Sequence, residues 1–147
     1  MNYFDTSALI KRFVAEKGSA VVEHLIAREE RIATAKLAYI EVHAGLSRKR
    51  REGHLSARRY DVVSRRFDAD WIDYLRVDLR DDVLALSREL VGRHPLRALD
   101  AIHLASALTI GASLGEEIVF AAADERLLRS ASAEGLRALN VETTQAP

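Results

Sequence analysis

Ile118-Val119-Phe120-Ala121-Ala122 is an unbroken apolar run that leads, through Ala123, into Asp124. A strand with one wet face alternates apolar and polar residues. A run with no polar position is suited to burial on both faces, as in a parallel sheet covered by helices. At the start of the chain, Asn2-Tyr3-Phe4 is a second extended stub. It runs into another lone carboxylate, Asp5, then the hydroxyls of Thr6 and Ser7, then a helical pattern. In open parallel sheets, ligand chemistry gathers just outside the carboxyl ends of strands, where both aspartates are expected. Asp, Thr and Ser are also preferred helix N-caps, so each position alone has an ordinary structural explanation.

Between these two strands the patterns alternate. Ser7–Val14 reads as a short helix and Gly18 as a break. Val21, Val22, Leu25 and Ile26 form a helical stripe through about Arg28. Arg31–Thr34 is expected as a short strand. From Lys36 a helix places Glu41 on an apolar stripe with Leu37, Ile40 and Ala44, and it ends near Gly53. Leu55–Asp70 is expected to form a second long helix, paired with the first as a hairpin. A strand over Tyr74–Val77 and a helix from Val83 to Gly92 follow. Leu96–Ile110 is a helix apolar or small on nearly every side, with Asp100 near its start, and Gly111–Gly115 reads as a loop. A helix from Leu127 to Gly135 and an edge strand at Leu139–Val141 complete the chain. The alternation predicts one α/β domain over residues 1–147, an α/β/α sandwich on a mainly parallel, roughly five-stranded sheet.

Composition narrows the chemistry. The chain has no cysteine, which excludes disulfides, thiolate chemistry and Cys-bearing zinc sites. His24, His43, His54 and His94 show no zinc-ligand spacing. The N-terminus lacks the basic and apolar regions of a signal peptide. The longest uncharged run, Ala101–Gly115, is too short to span a bilayer. A soluble, cytoplasmic protein with no membrane partner is expected. The 22 basic and 22 acidic residues cancel, which argues against a generic nucleic-acid coat. Yet Arg48–Arg66 carries eight basic residues against Glu52 and Asp61. Within that stretch Arg48, Lys49, Arg50, Arg51 and Arg58 are candidates for RNA contact, and a solvated helical face explains them equally well.

Asp5 and Asp124 end strands, Glu41 sits on a core-facing stripe, and Asp100 heads the most buried helix. Carboxylates gathered in one apolar pocket repel and raise one another's pKa, so convergence requires a cation. With oxygen donors and no thiolate, Mg²⁺ or Mn²⁺ suits the set. Such an ion, held with positions open to water and substrate, is how nucleases cut phosphodiesters; in-line attack leaves 5′-phosphate and 3′-hydroxyl ends. Each acid also has a bland alternative, as an arginine partner or an N-cap, and spacing alone does not bring the four together.

Four segments carry a resemblance: Tyr3-Phe4-Asp5-Thr6-Ser7-Ala8-Leu9-Ile10-Lys11, Ala38-Tyr39-Ile40-Glu41-Val42, Leu96-Arg97-Ala98-Leu99-Asp100-Ala101-Ile102-His103-Leu104-Ala105, and Phe120-Ala121-Ala122-Ala123-Asp124-Glu125-Arg126-Leu127-Leu128. From end to end the chain resembles the PIN-domain ribonucleases, specifically the VapC-type toxins of toxin–antitoxin pairs. The resemblance implies a Mg²⁺-dependent endoribonuclease with Asp5, Glu41, Asp100 and Asp124 as metal-binding acids. It also implies Ser7 as a hydroxyl beside the site, a VapB-like antitoxin partner and a homodimer. Ala122 departs from the pattern, because the family often carries Thr two residues before the last acid. His103, three residues after Asp100, reads as a satisfied core or helix-surface histidine rather than a ligand. Phe13, Val14, Val21, Val22 and Tyr39–Val42 are the apolar residues offered for antitoxin docking, with core packing as their alternative. A catalytically inactive PIN scaffold that binds RNA or a protein is the competing function. A phosphatase using Asp5 as nucleophile has little support, because Asp5-Thr6-Ser7 lacks the second acid two residues on that haloacid-dehalogenase-like enzymes carry.

Overall fold

A computed structural model describes residues 1–28 and 31–145. Five strands form one sheet: β1 (Asn2–Phe4), β2 (Ile32–Ala35), β3 (Leu75–Val77), β4 (Val119–Ala122) and β5 (Arg137–Asn140). Their order is β3-β2-β1-β4-β5 and every pairing is parallel. The chain therefore winds outward from β1 to β3, then crosses back to lay β4 on the other side of β1. That reversal makes the gap between β1 and β4 the topological switch point, the place where an open α/β sheet leaves a crevice.

Helices cover both faces, giving the α/β/α sandwich. α1 (Thr6–Leu9), α2 (Ser19–Arg28), α3 (Ala38–Arg51) and α4 (Ala57–Trp71) lie on one side. There Leu9, Val22, Val42 and Phe67 pack with Phe4 and Ala121 of the sheet. α5 (Asp81–Arg93), α6 (Ala98–Leu114) and α7 (Glu125–Ala133) lie on the other, where Leu90, Leu104 and Leu127 meet Tyr3, Phe120 and Ala122. The period-two alternation of strands divides neighbouring residues between the two cores. Tyr3 and Phe120, on adjacent strands, stack with ring centroids 5.4 Å apart.

Several boundaries differ from expectation by a few residues, and three of them have a physical cause. α6 runs on to Leu114 rather than yielding to a loop at Gly111. Gly111 stays helical against β4, where a Cβ would lie 2.8 Å from Ile118, and the chain reverses at Gly115 with φ +62°. The first helix tightens into a 3₁₀ turn, Ile10–Arg12. It stops short of Val14 where Lys11 turns inward to ion pairs with Glu16 and Glu142. β5 begins at Arg137 instead of Leu139, because an edge strand tolerates an exposed residue. Core packing also claims Phe13, Val21, Val22 and Val42, so these cannot be a free docking surface; Tyr39 and Ile40 remain exposed. Among the described residues, no helix is long and apolar enough to cross a membrane.

Candidate active site

Asp5 leaves the end of β1 as the N-cap of α1. Its Oδ1 accepts the Ala8 N–H at 2.9 Å and the Ser7 hydroxyl at 2.7 Å. Ser7 Oγ in turn accepts the Ala123 N–H at 3.0 Å, so one hydroxyl ties the ends of β1 and β4 together. Asp5 is only 6% exposed. Burial pushes its carboxyl above the ordinary range, offset in part by His103, Ser7 and the Ala8 N–H.

Glu41 projects from the first turn of α3. Its Oε1 accepts the Thr6 hydroxyl at 2.8 Å and lies 2.8 Å from His103 Nε2. A carboxylate only accepts, so the shared proton is assigned to Nε2. On the far side of the ring, Nδ1 lies 3.0 Å from the Tyr3 hydroxyl. His103 and Tyr3 are both buried, and burial holds the Tyr3 phenol well above its ordinary pKa.

Asp100 and Asp124 face them from the other helical layer. Asp100 Oδ2 accepts from the Arg97 backbone N–H at 3.3 Å and from Arg97 Nε at 3.2 Å, closing the start of α6. Asp124 caps α7, its Oδ1 accepting from Leu127 and Arg126 N–H groups at 3.1 and 2.8 Å. Its Oδ2 turns toward Arg97 Nη2 and Arg126 Nη2 at 3.6 and 3.7 Å. The Leu127 N–H leads the effects that hold Asp124 below the usual carboxylate range, with the Arg126 N–H, Arg126 and Arg97 adding to it, and together they outweigh the opposing effect of burial. Thus Asp5, Asp100 and Asp124 are helix-cap acceptors and cleft residues at once.

All four acids line one cleft of about 550 Å³ at the switch point, together with Ser7 and His103. Among the described residues, no three histidine or acid side chains stand close enough together to hold an ion without adjustment. The partners explain the spacing: each carboxylate is drawn toward its own hydroxyl, imidazole, N–H or guanidinium. The donor chemistry still suits a hard cation, with four carboxylates around one crevice and Asp5 buried with no lysine or arginine partner among the described residues.

The basic stretch divides. Arg48 and Arg51 border the cleft. Lys49 instead pairs with Glu16 at 2.7 Å, and Arg50 lies over the Tyr60 ring at 5.1 Å. Arg58 is exposed on α4 and does not line the cleft. Sequence reasoning named Tyr3, Thr6 and Arg97 only within the motifs and did not assign them as partners of the acids. Thr6 follows Asp5 directly and Arg97 stands three residues before Asp100, but the contacts of Thr6 with Glu41 and of Tyr3 with His103 are long-range.

The chain belongs to the PIN-domain family, whose model matches residues 3–132. It is 34% identical over 135 residues to Ribonuclease VapC45 of Mycobacterium tuberculosis, with 92% of each chain covered. Its fold is similar to that of FitAcB from Neisseria gonorrhoeae, with a TM-score of 0.68 and 14% identity, covering 98% of this chain and 100% of the other. A toxin–antitoxin complex from Klebsiella pneumoniae gives a TM-score of 0.64 at 18% identity, covering 96% and 98%.

Proposed function

We propose that the protein is the endoribonuclease toxin of a toxin–antitoxin pair, hydrolysing RNA phosphodiesters at a Mg²⁺ site formed by Asp5, Glu41, Asp100 and Asp124, with Mn²⁺ as a substitute. One observation carries this: the four acids, spread over four elements, line a single cleft at the switch point of the sheet. Membership of the PIN family and likeness to a named VapC ribonuclease support the reaction class. Likeness to chains of toxin–antitoxin complexes supports a VapB-like antitoxin as partner. A homodimer, as in VapC-like toxins, and a cytoplasmic location complete the proposal.

When bound, the ion lowers the pKa of the attacking water and stabilises the leaving oxygen. The chain's own residues prepare the cleft. Ser7 and the Ala8 N–H hold the Asp5 carboxylate at the end of β1. Thr6 and His103 hold Glu41 opposite it. Arg48 and Arg51 on the rim hold the phosphate backbone of the RNA, an attraction that weakens with salt.

One observation favours the inactive scaffold instead. Arg97 spans Asp100 and Asp124 and already supplies them with positive charge. Purified protein incubated with cellular RNA decides between the two. Cleavage in Mg²⁺ or Mn²⁺ that EDTA and Asp5→Asn abolish supports the nuclease. A folded, antitoxin-free protein that binds RNA but leaves it intact in either metal overturns it.

A further inference from the structure

Among the contacts of the four acids, those of Glu41 reach furthest into the protein. Its carboxylate meets His103, and His103 meets Tyr3, in a line of hydrogen bonds of 2.8 and 3.0 Å that runs from the cleft into the α5–α7 core. Three elements contribute one residue each: α3, α6 and β1. His103 is 3% exposed and Tyr3 fully buried, so water has little access to the ring or the phenol. Both ring nitrogens are satisfied within the protein, and the imidazole plane is fixed at both ends.

We propose that His103, oriented by Tyr3, is a positioning residue for Glu41, fixing the direction in which that carboxylate enters the cleft. The proposal rests on Glu41 serving the metal site described above. Glutamate has one more rotatable bond than aspartate, and Glu41 lies on a helix rather than at a strand end. Unlike Asp5 and Asp124, it is not held by a backbone N–H of a helix cap. Its direction therefore depends on side-chain partners. Thr6 supplies one, itself 3.2 Å from His103 Nε2. A lone Thr hydroxyl can rotate, whereas the imidazole is locked by Tyr3, which stacks on Phe120 and lies edge-on to His103 at 6.0 Å. The arrangement parallels a general rule of metal sites, in which partners behind the ligands set ligand direction and their loss costs about 10- to 100-fold in affinity or activity.

The test is Mn²⁺ binding to the purified full chain, measured by calorimetry for wild type, His103→Leu, His103→Gln, Tyr3→Phe and Glu41→Gln. His103→Leu is expected to weaken binding about 10- to 100-fold. His103→Gln, whose amide nitrogen can replace Nε2–H, should recover most of it. Tyr3→Phe removes only the hydroxyl and should produce a smaller loss in the same direction. In a Glu41→Gln background, His103→Leu should cost nothing further, which a merely structural role would not produce. Ring ¹⁵N shifts of metal-free wild type should report both ring nitrogens engaged in hydrogen bonds, with the Nδ1 signal moved in Tyr3→Phe, and this readout needs no metal. Wild-type affinity in both His103→Leu and Tyr3→Phe would overturn the proposal while leaving the metal site standing, provided Glu41→Gln weakens binding. Failure of wild type to bind Mn²⁺ would overturn the metal reading and the proposal with it, even with the expected ring shifts.

Discussion

Asp5 and Glu41, on the side of the cleft built by β1, α1 and α3, are held by hydroxyls, a backbone N–H and an imidazole. Asp100 and Asp124, on the α6 and α7 side, face the guanidinium of Arg97. The difference shows in the direction of the pKa shifts, with burial raising Asp5 and cap N–H groups and arginines lowering Asp124. The α6–α7 half has its negative charge compensated by an arginine that faces both acids, whereas the β1–α3 half is held by hydroxyls, a backbone N–H and His103, with no ion pair to lysine or arginine among the described residues. At the proposed metal site a cation is therefore expected to gain most at the Asp5–Glu41 side and to meet competition from Arg97 at the other.

Cleavage separates the halves least and carries the largest effect. Asp5→Asn and Glu41→Gln should each lower RNA cleavage by more than about 100-fold, beyond the loss expected for a partner behind a ligand. Activity within a few-fold of wild type in either variant would break the assignment of that half. Next in size is metal-linked stability. Mn²⁺ at about 100 times its Kd should stabilise wild type by about 2.7 kcal/mol, and thermal melts should show that gain largely missing in Asp5→Asn.

With chelator present, the two halves should respond to neutralisation with opposite signs. Asp5→Asn removes a carboxylate buried without a basic partner and keeps a cap acceptor, so the melting temperature should rise, by about 2–4 °C if the gain is about 1 kcal/mol. Asp124→Asn removes a charge that the fold favours and should lower it by a smaller amount, given its exposure to solvent. The pH dependence follows. With its pKa raised, Asp5 makes the folded state hold the proton more tightly, so its contribution favours folding in acid and is lost as pH rises above 3.8 through the raised value. Asp124, with its pKa lowered, contributes stability present above 3.8 and lost as pH falls through the lowered value. Denaturation midpoints across acid pH should therefore climb more steeply with pH in Asp5→Asn than in wild type. The smallest effect is expected from Arg97→Gln. Its side chain is 70% exposed, so removing it should tighten Mn²⁺ binding only a few-fold; weakened binding would mean that Arg97 organises the outer acids rather than competing for them.

Much of this cleft was legible from local pattern. Asp5 and Asp124 follow apolar strands, Asp100 follows a helix start and Glu41 interrupts an apolar stripe, and these are features of a few residues each. Capping and a place in the cleft are not alternatives, since Asp124 caps with Oδ1 and turns Oδ2 toward Arg97 in the cleft. The relay behind Glu41 was not legible. Thr6, Glu41, His103 and Tyr3 come from four elements, their hydrogen-bonded pairs are separated by 35 to 100 positions, and only the packing of α3 and α6 around β1 and α1 makes them neighbours. His103 was expected as a satisfied histidine and is one, but the group that satisfies it is the acid. The basic stretch was legible as charge and not as direction, because Lys49 and Arg50 found partners of their own in Glu16 and Tyr60.

The order of the strands also sets a timetable for synthesis. Ser7 and Ala123, whose hydrogen bond joins the ends of β1 and β4, are 116 residues apart. The first strand leaves the ribosome long before β4, its neighbour on the cleft side, has been made. At about 5–20 residues per second, translation takes roughly 6–23 s to reach the residue that completes the crevice. Throughout that interval Asp5 has no wall of α6 and α7 to face, and the nascent chain has no finished cleft. The antitoxin partner proposed above would have the same interval to engage the chain before its cleft is complete.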